Sequence, residues 1–172
     1  LFVFRLRKEF DVESFENWLK KWEASSLLFL DSIREFVVHL GPRKLFRYEL
    51  KASLQFEDRP VKIRGHTRSH SLVRFSSLDG KEKWYRYSVR FKVPKNLKRR
   101  YKQTGDDTIV SVAIPTDDSK GRVFVGLPTE IRLSTPTLID AQFDPDPSRE
   151  RLIHSSWNDW LMKRVQEVQI EA

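Results

Sequence analysis

A short acidic and proline-rich segment carries the residues of this chain that are best suited to chemistry. Residues Phe143 to Leu152 read F-D-P-D-P-S-R-E-R-L and lead directly into H-S-S-W-N-D-W-L. The two prolines restrict the backbone, and the pattern predicts a loop that presents Arg149 near the start of a helix. Because a guanidinium stays charged and offers a planar fork of N–H donors, Arg149 is suited to binding a phosphate.

A structural role for Arg149 is a second interpretation of the same segment. Asp144, Asp146 and Glu150 are its neighbours in sequence, so an ion pair within the loop would hold the chain ahead of the following helix. Such a pair and its helix cap would stabilise the fold by about 0.5–2 kcal/mol. Contact of Arg149 with nucleic acid is a third interpretation.

The positive charge of the chain is concentrated in one segment. The net charge of the 172 residues is +8, and seven basic residues without an acid lie between Arg90 and Lys102. A local basic patch suits contact with a phosphate backbone, and it equally suits a solvated surface or a docking surface for an acidic partner. The residues assigned to the nucleic-acid alternative, with Tyr101 or Trp84 available to stack on bases, are Lys95, Lys98, Arg99, Arg100 and Lys102.

The composition bounds the class of protein. Hydrophobic residues make up 39% of the chain and aromatic residues 12%, which predicts a folded domain with a core. No apolar run approaches the roughly 20 residues that span a bilayer, so we expect a cytoplasmic, intracellular protein without a membrane partner. The absence of cysteine excludes disulfides and fits a reducing compartment. The chain begins at Leu1, so we expect it to be a piece of a longer protein.

The motifs of an autonomous enzyme are missing from the chain. None of the six glycines belongs to a phosphate-binding loop of the form G-x-x-x-x-G-K-[ST] or G-x-G-x-x-G. His66 and His70 lie in a strand-like region, where side chains at this spacing do not converge, so no metal site is predicted. The carboxylate pairs Asp106-Asp107 and Asp117-Asp118 fit polar turns. We therefore expect no cofactor in this chain and no enzymatic activity from it alone.

Three helices are predicted from the spacing of apolar residues. Asp11 is a suitable N-cap for the first helix, the second is expected from Ser25 or Ser26 to just before Gly41, and the third begins at Ser155 or Ser156. The residues expected to face the core are Val12, Phe15, Trp18, Leu19 and Trp22 in the first helix; Leu27, Leu28, Leu30, Ile33 and Val37 in the second; and Trp157, Trp160, Leu161, Val165 and Val168, with the stem of Arg164, in the third.

Strands are predicted before and between these helices. Strict alternation from Phe46 to Phe56 predicts a half-buried strand. A hairpin is predicted around Asp79-Gly80, and its second arm is expected to bury Tyr85, Tyr87, Val89, Phe91 and Val93. The remaining predictions are strands over Leu1–Arg7, Val61–Thr67, Thr108–Ile114 and Arg122–Leu127, and a short basic helix near Lys95–Tyr101.

These elements together predict an α+β fold. We expect a mixed, largely antiparallel sheet with the helices packed mainly on one face. Residues 9–172 are predicted to form a single domain. Residues 1–8 are either the first strand of that domain or the last strand of a domain that precedes it.

Several motifs in the second half of the chain carry a resemblance to a known family. They are G-R-V-F-V-G-L-P-T-E-I (121–131), T-L-I-D-A-Q-F (137–143), D-P-S-R-E-R-L and W-N-D-W-L. Their order resembles the region that follows the nucleotide-binding domain in sacsin-like GHKL ATPases. The opening F-R-L-R and the run L-L-F-L-D-S-I-R-E-F (27–36) are similar to two further motifs of that group. The resemblance covers residues 1–7, 27–36 and 110–168.

The resemblance implies a coupling role for this chain. In that family an upstream domain binds ATP and magnesium, and the segment that follows is a middle or transducer-like domain docked below it. Ser148-Arg149-Glu150 is also similar to the catalytic loop of the ninety-kilodalton heat-shock chaperones, which implies that Arg149 reaches the γ-phosphate. Those chaperones carry a glutamine four residues after the arginine, where this chain has Ile153. The partners implied are the upstream domain, a second copy of the chain, and a protein or nucleic-acid client.

Overall fold

Eight strands and two α-helices make up the regular structure of the described residues. The computed structural model describes residues 9–19, 24–30, 32–33, 35–40, 43–63, 66–77, 83–97, 106–116 and 120–172. The helices are α1 (Val12–Leu19) and α2 (Ser156–Glu171), and short 3-10 turns cover Ala24–Leu27 and Lys95–Leu97. The strands are β1 (Glu35–Leu40), β2 (Arg43–Ile63), β3 (His66–Ser77), β4 (Lys83–Lys92), β5 (Asp107–Pro115), β6 (Gly121–Val125), β7 (Leu127–Leu133) and β8 (Leu138–Asp140).

The strands form one sheet in the order β1-β2-β3-β4-β5-β8-β6-β7. Strands β1 to β5 are successive antiparallel neighbours, and β8 pairs antiparallel with β5. The pair β6–β8 is parallel, and β7 returns antiparallel to β6. The predicted α+β fold with a mixed, largely antiparallel sheet is confirmed. Strand β8 lies between β5 and β6, so the chain leaves the middle of the sheet after Asp140. It then passes through Arg149 before it reaches α2.

Helix α2 packs on one face of the sheet. Its apolar side chains Trp157, Leu161, Val165 and Val168 are buried, as predicted, against alternate residues of the strands. The strand residues in this cluster are Tyr87, Val89, Phe91, Val110, Val112, Val123 and Ile139. The helix begins where the hydroxyl of its N-cap Ser155 accepts a hydrogen bond from the Asn158 N–H at 3.2 Å, as expected for a serine cap.

The second face of the sheet is covered in part by the 3-10 turn and the residues that follow it. Leu27, Leu28 and Phe29 are buried there, and the rings of Phe29 and Phe124 lie 4.8 Å apart. The strand residues beneath them are Val73, Phe75, Trp84, Ala113, Phe124 and Leu138. Both faces of β4 are therefore buried at this end of the sheet, which explains why Trp84 and Tyr87 are buried together on one strand.

Helix α1 begins at the predicted cap, although its aromatic side chains are less buried than predicted. Asp11 accepts hydrogen bonds from the Ser14 N–H at 3.0 Å and from its hydroxyl at 2.6 Å. Leu19 is buried, whereas Trp18 stacks on Phe15 and is 48% exposed, so the prediction of a core position for Trp18 is wrong. Trp22 lies outside the described residues.

The predicted second helix is wrong. Its first residues form the 3-10 turn Ala24–Leu27, and its last residues form strand β1, which pairs with β2 from Glu35 onwards. The run F-V-V-H-L is rich in β-branched and aromatic side chains that favour a strand when a partner is available. Among the residues of the predicted core face, Ile33 is 45% exposed.

Most of the predicted strands are confirmed, with changes in their bounds. The stretch Phe46–Phe56 lies within β2, and β3 and β4 form the predicted hairpin. The separate strand over Val61–Thr67 is wrong, because its residues are divided between the end of β2 and the start of β3. Tyr85 is 38% exposed rather than buried. The described part of the basic helix is the 3-10 turn Lys95–Leu97, and residues 1–8, 79–80 and 98–102 lie outside the described residues.

Candidate functional site

The segment Asp144–Ile153, here called the arginine loop, is a closed hairpin-like turn. Pro145 and Leu152 form an antiparallel bridge, and the N–H of Ile153 donates to the Asp144 carbonyl at 2.9 Å. Nearer the tip, the N–H of Asp146 donates to the Arg151 carbonyl at 2.9 Å. The loop therefore has a defined backbone path with Arg149 at its tip.

The carboxylate of Asp146 organises the tip of the arginine loop. It accepts hydrogen bonds from the Ser148 hydroxyl and the Glu150 N–H, both at 3.0 Å, and its second oxygen lies 3.9 Å from Arg151 Nε. Desolvation acts to raise the pKa of Asp146, but these hydrogen bonds and the charge of Arg151 outweigh it and lower the pKa below the ordinary value. Aspartate side chains commonly accept hydrogen bonds from nearby backbone N–H groups in tight turns.

Arg149 is held in an unusual backbone conformation at this tip. Its φ is 60°, in the left-handed region that costs a residue with a Cβ about 1–2 kcal/mol. The Glu130 N–H of β7 donates to the Arg149 carbonyl at 2.9 Å, which fastens the tip to the sheet. Backbone strain of this kind persists only where surrounding contacts fix it, and it occurs often at functional sites.

The guanidinium of Arg149 lies over the turn between β6 and β7. Its Nη2 donates to the Leu127 carbonyl at 2.8 Å and approaches the Val125 carbonyl at 3.4 Å. Among the described residues no carboxylate forms an ion pair with Arg149, and the partner of Asp146 is Arg151. The predicted ion pair of Arg149 within the loop is therefore wrong for the described residues. The guanidinium donates to main-chain carbonyls instead.

The position of Arg149 relative to the helix also differs from the prediction. The N-cap of α2 is Ser155, so Arg149 belongs to the turn of the loop and not to the first turn of the helix. Between them, Ile153 is 50% exposed. Its side chain is apolar, whereas the chaperones named above have a glutamine at this position. The described loop therefore offers no second polar side chain at residue 153.

Asn158 fixes the base of the arginine loop. It is 3% exposed, its Oδ1 accepts from the Asp144 N–H at 2.9 Å, and its Nδ2 donates to the carbonyls of Asp144 at 2.9 Å and Ile153 at 2.7 Å. Trp157 adds a bond from its indole N–H to the Gln142 carbonyl at 2.7 Å. Asn158 was not among the residues predicted for the site, although a polar residue between two tryptophans at the start of a helix was a signal that could have identified it.

The β6–β7 turn connects the arginine loop to the opposite side of the sheet. Gly126 has a φ of 68°, and its N–H donates to Asp140 Oδ1 at 2.7 Å. The carbonyls on either side of Gly126 belong to Val125 and Leu127, which are the two that Arg149 contacts. A single three-residue turn is therefore held by an arginine and by an aspartate from different parts of the chain.

A polar cleft of about 530 Å³ lies beside this turn, on the sheet face opposite α2. Phe29 and Gly126 form parts of its wall. Its polar lining includes Arg86, Ser88 and Arg90 of β4, Asp107 and Ser111 of β5, and Asp140 of β8. Arg86 is 8% exposed, donates from Nη1 to the Leu28 carbonyl at 2.9 Å and lies over the Phe75 ring. Arg90 belongs to the predicted basic patch, and none of the other cleft residues was predicted to belong to a site.

The predicted basic patch is only partly within the described residues. Lys95 is exposed, as are Arg90 and Lys92 on the neighbouring strand, whereas Lys98, Arg99, Arg100, Lys102 and Tyr101 lie outside the described residues. Trp84 is 3% exposed in the core beneath the 3-10 turn, so its predicted availability for stacking on a base is wrong.

Comparisons with known proteins give no relative for this chain. Nothing matches it among protein-family models, curated proteins or solved structures. Within the described part of the chain, no three His, Asp or Glu side chains are arranged to hold a metal ion. No helix among those residues is long and apolar enough to cross a membrane.

Proposed function

We propose that this chain is the coupling domain of a GHKL-type ATPase of the sacsin-like kind, with Arg149 as the residue that reaches the γ-phosphate. The observation that supports this most is the arginine loop. It presents an arginine whose backbone is fixed by a hydrogen bond to β7, while no described carboxylate neutralises the charge of its guanidinium.

The contacts of Arg149 suit a residue that exchanges partners. Two neutral carbonyls occupy Nη2, whereas a phosphate adds the attraction of opposite charges and can accept two parallel bonds from the guanidinium fork. A γ-phosphate brought next to the loop by an upstream domain would therefore compete successfully for the guanidinium. The chain itself carries no glycine-rich phosphate loop, so ATP and magnesium would be held by that upstream domain.

ATP turnover by the longer protein, which includes the upstream domain, tests this proposal. Arg149→Ala is expected to lower kcat by at least about tenfold, since an arginine that stabilises phosphoryl transfer contributes far more than this in GTPases. Arg151→Ala is the matched control, because Arg151 is in the same loop and its side chain is 84% exposed. It is expected to change kcat less than about twofold. Unchanged kcat and unchanged nucleotide affinity for Arg149→Ala would exclude the role.

A nucleic-acid-binding module is the second candidate function, and the arrangement of β4 favours it. Arg90 and Lys92 are alternate, exposed residues on one face of the strand, and Lys95 follows them. The test is binding of single-stranded RNA or DNA at low and moderate salt, with steep salt dependence expected. Neutralising Lys95, Lys98, Arg99, Arg100 and Lys102 together should abolish it, and neutralising the exposed Lys120 and Lys163 should not. Absence of binding at low ionic strength would exclude this function.

A further inference from the structure

The polar cleft departs from the apolar character of the sheet face on which it lies. On β4 the residues of this face run from buried Trp84 through Arg86 and Ser88 to Arg90, and on β5 they run from Ala113 through Ser111 to Asp107. Arg86, Ser88 and Ser111 are each less than 10% exposed, so burying these polar groups costs desolvation free energy. The volume of about 530 Å³ is within the range of small-molecule sites.

The floor of the cleft has an unused hydrogen-bond donor. Ser88 Oγ and Ser111 Oγ lie 2.8 Å apart, and their mutual bond uses only one of the two hydroxyl hydrogens. Among the described residues the other hydroxyl hydrogen has no acceptor. A ligand in the cleft would therefore be recognised by an acceptor oxygen placed over this serine pair.

The cleft is lined by two arginines and two aspartates, and one residue of each type forms a hydrogen bond within the fold. Arg86 donates to the Leu28 carbonyl, and Asp140 accepts from the Gly126 N–H. Arg90 and Asp107 have no hydrogen-bond or ion-pair partner for their side chains among the described residues, and Asp107 Oδ1 is buried.

The lysine beside Asp107 does not satisfy its carboxylate. Lys92 is the ladder partner of Asp107, yet it forms no ion pair with it. A carboxylate with a buried oxygen needs a donor, and a guanidinium at the edge of a cleft favours an anion.

We propose that the polar cleft binds a small zwitterion of the amino-acid type. Its carboxylate pairs with Arg90 and accepts from the serine pair, and its ammonium group pairs with Asp107. Phe29 and Ile109, which also line the cleft, contact the ligand side chain. This site is separate from the arginine loop and does not depend on the ATPase proposal.

The experiment is titration of the isotope-labelled chain with the free amino acids, followed by the amide resonances of Gly126 and Ser111. At least one amino acid is expected to bind, and its N-acetyl and methyl-ester derivatives are each expected to bind about tenfold more weakly, since each removes one charged hydrogen bond. Arg90→Gln and Asp107→Asn should each weaken binding by about the same factor. Arg132→Gln is the matched control, because Arg132 is an exposed residue of β7, and it should leave the affinity unchanged.

Each other outcome overturns the proposal. No shift with any amino acid would show that the cleft is not such a site. Equal binding of inorganic phosphate, strengthened by Asp107→Asn, would identify a simple anion site. Displacement of the amino acid by an oligonucleotide with no effect of Asp107→Asn would assign the cleft to nucleic acid. Binding that is unaffected by Arg90→Gln would place the ligand elsewhere.

Discussion

Replacing Asn158 by alanine should destabilise the protein and release the arginine loop. Three hydrogen bonds of 2.7–2.9 Å join this buried amide to the backbone of Asp144 and Ile153. At about 1 kcal/mol net for each bond, their loss amounts to about 3 kcal/mol. Alanine is the better helix former by about 0.5 kcal/mol, so the expected decrease in the free energy of unfolding is about 2–3 kcal/mol.

The assay combines denaturant unfolding with amide hydrogen exchange. Gln166→Ala is the matched control, since it truncates an exposed amide on the same helix and should change stability by no more than about 0.5 kcal/mol. In Asn158→Ala, the amides of Arg149 and Arg151 should exchange faster because the base of the loop is no longer fixed. A loss below about 1 kcal/mol, or unchanged exchange in the loop, would refute the assignment of Asn158 as the residue that holds it.

Four further predictions concern turns and titrating groups. Gly126→Ala should cost about 1–2 kcal/mol through its positive φ alone, since an added Cβ meets only a Leu30 methyl at 4.0 Å. Gly121→Ala should lower the free energy of unfolding by more, about 2–4 kcal/mol in denaturant unfolding. The added Cβ would overlap backbone oxygens of the connection between β7 and β8. The lowered pKa of Asp146 means that its stabilisation is complete above the ordinary value of 3.8 and is lost as pH falls through the lower folded value. The stability difference between wild type and Asp146→Asn should therefore shrink in acid. Burial, and then the charge of Glu171, raise the pKa of Tyr87, so its contribution is present below the ordinary value of 10.0 and is lost as pH rises through the higher folded value. Tyr87→Phe should remove this alkaline loss in unfolding experiments.

The elements that were predicted correctly are those whose pattern is local. Alternation predicted the strand within β2 and the β3–β4 hairpin, and the serine cap predicted the start of α2. The stretch after Ser26 was wrong because a short apolar run fits a helix or a strand, and pairing with β2 decided the outcome. The sequence contains no local signal for a partner strand that comes later in the chain.

The geometry around Arg149 could not be predicted from the sequence. Composition and order drew attention to Arg149, and the structure places it at the tip of a loop whose backbone is fixed by Asp146 and Glu130. Its contacts with the β6–β7 turn depend on the insertion of β8 between β5 and β6, which periodicity does not reveal. Arg86 was not among the residues predicted to be buried, and it is buried because the 3-10 turn covers that face of the sheet.

The β6–β7 turn belongs to two surfaces at once. Arg149 contacts its carbonyls from the loop, and Asp140 binds the Gly126 N–H from the cleft. An anion bound by Arg149 in place of these carbonyls would therefore act on one wall of the cleft, and a ligand that moved that wall would act on the contacts of Arg149. Thermodynamic linkage requires these effects to be reciprocal, so that each ligand changes the affinity for the other by the same factor. Three residues of main chain therefore lie between the two proposed sites, and coupling between those sites would need no moving domain.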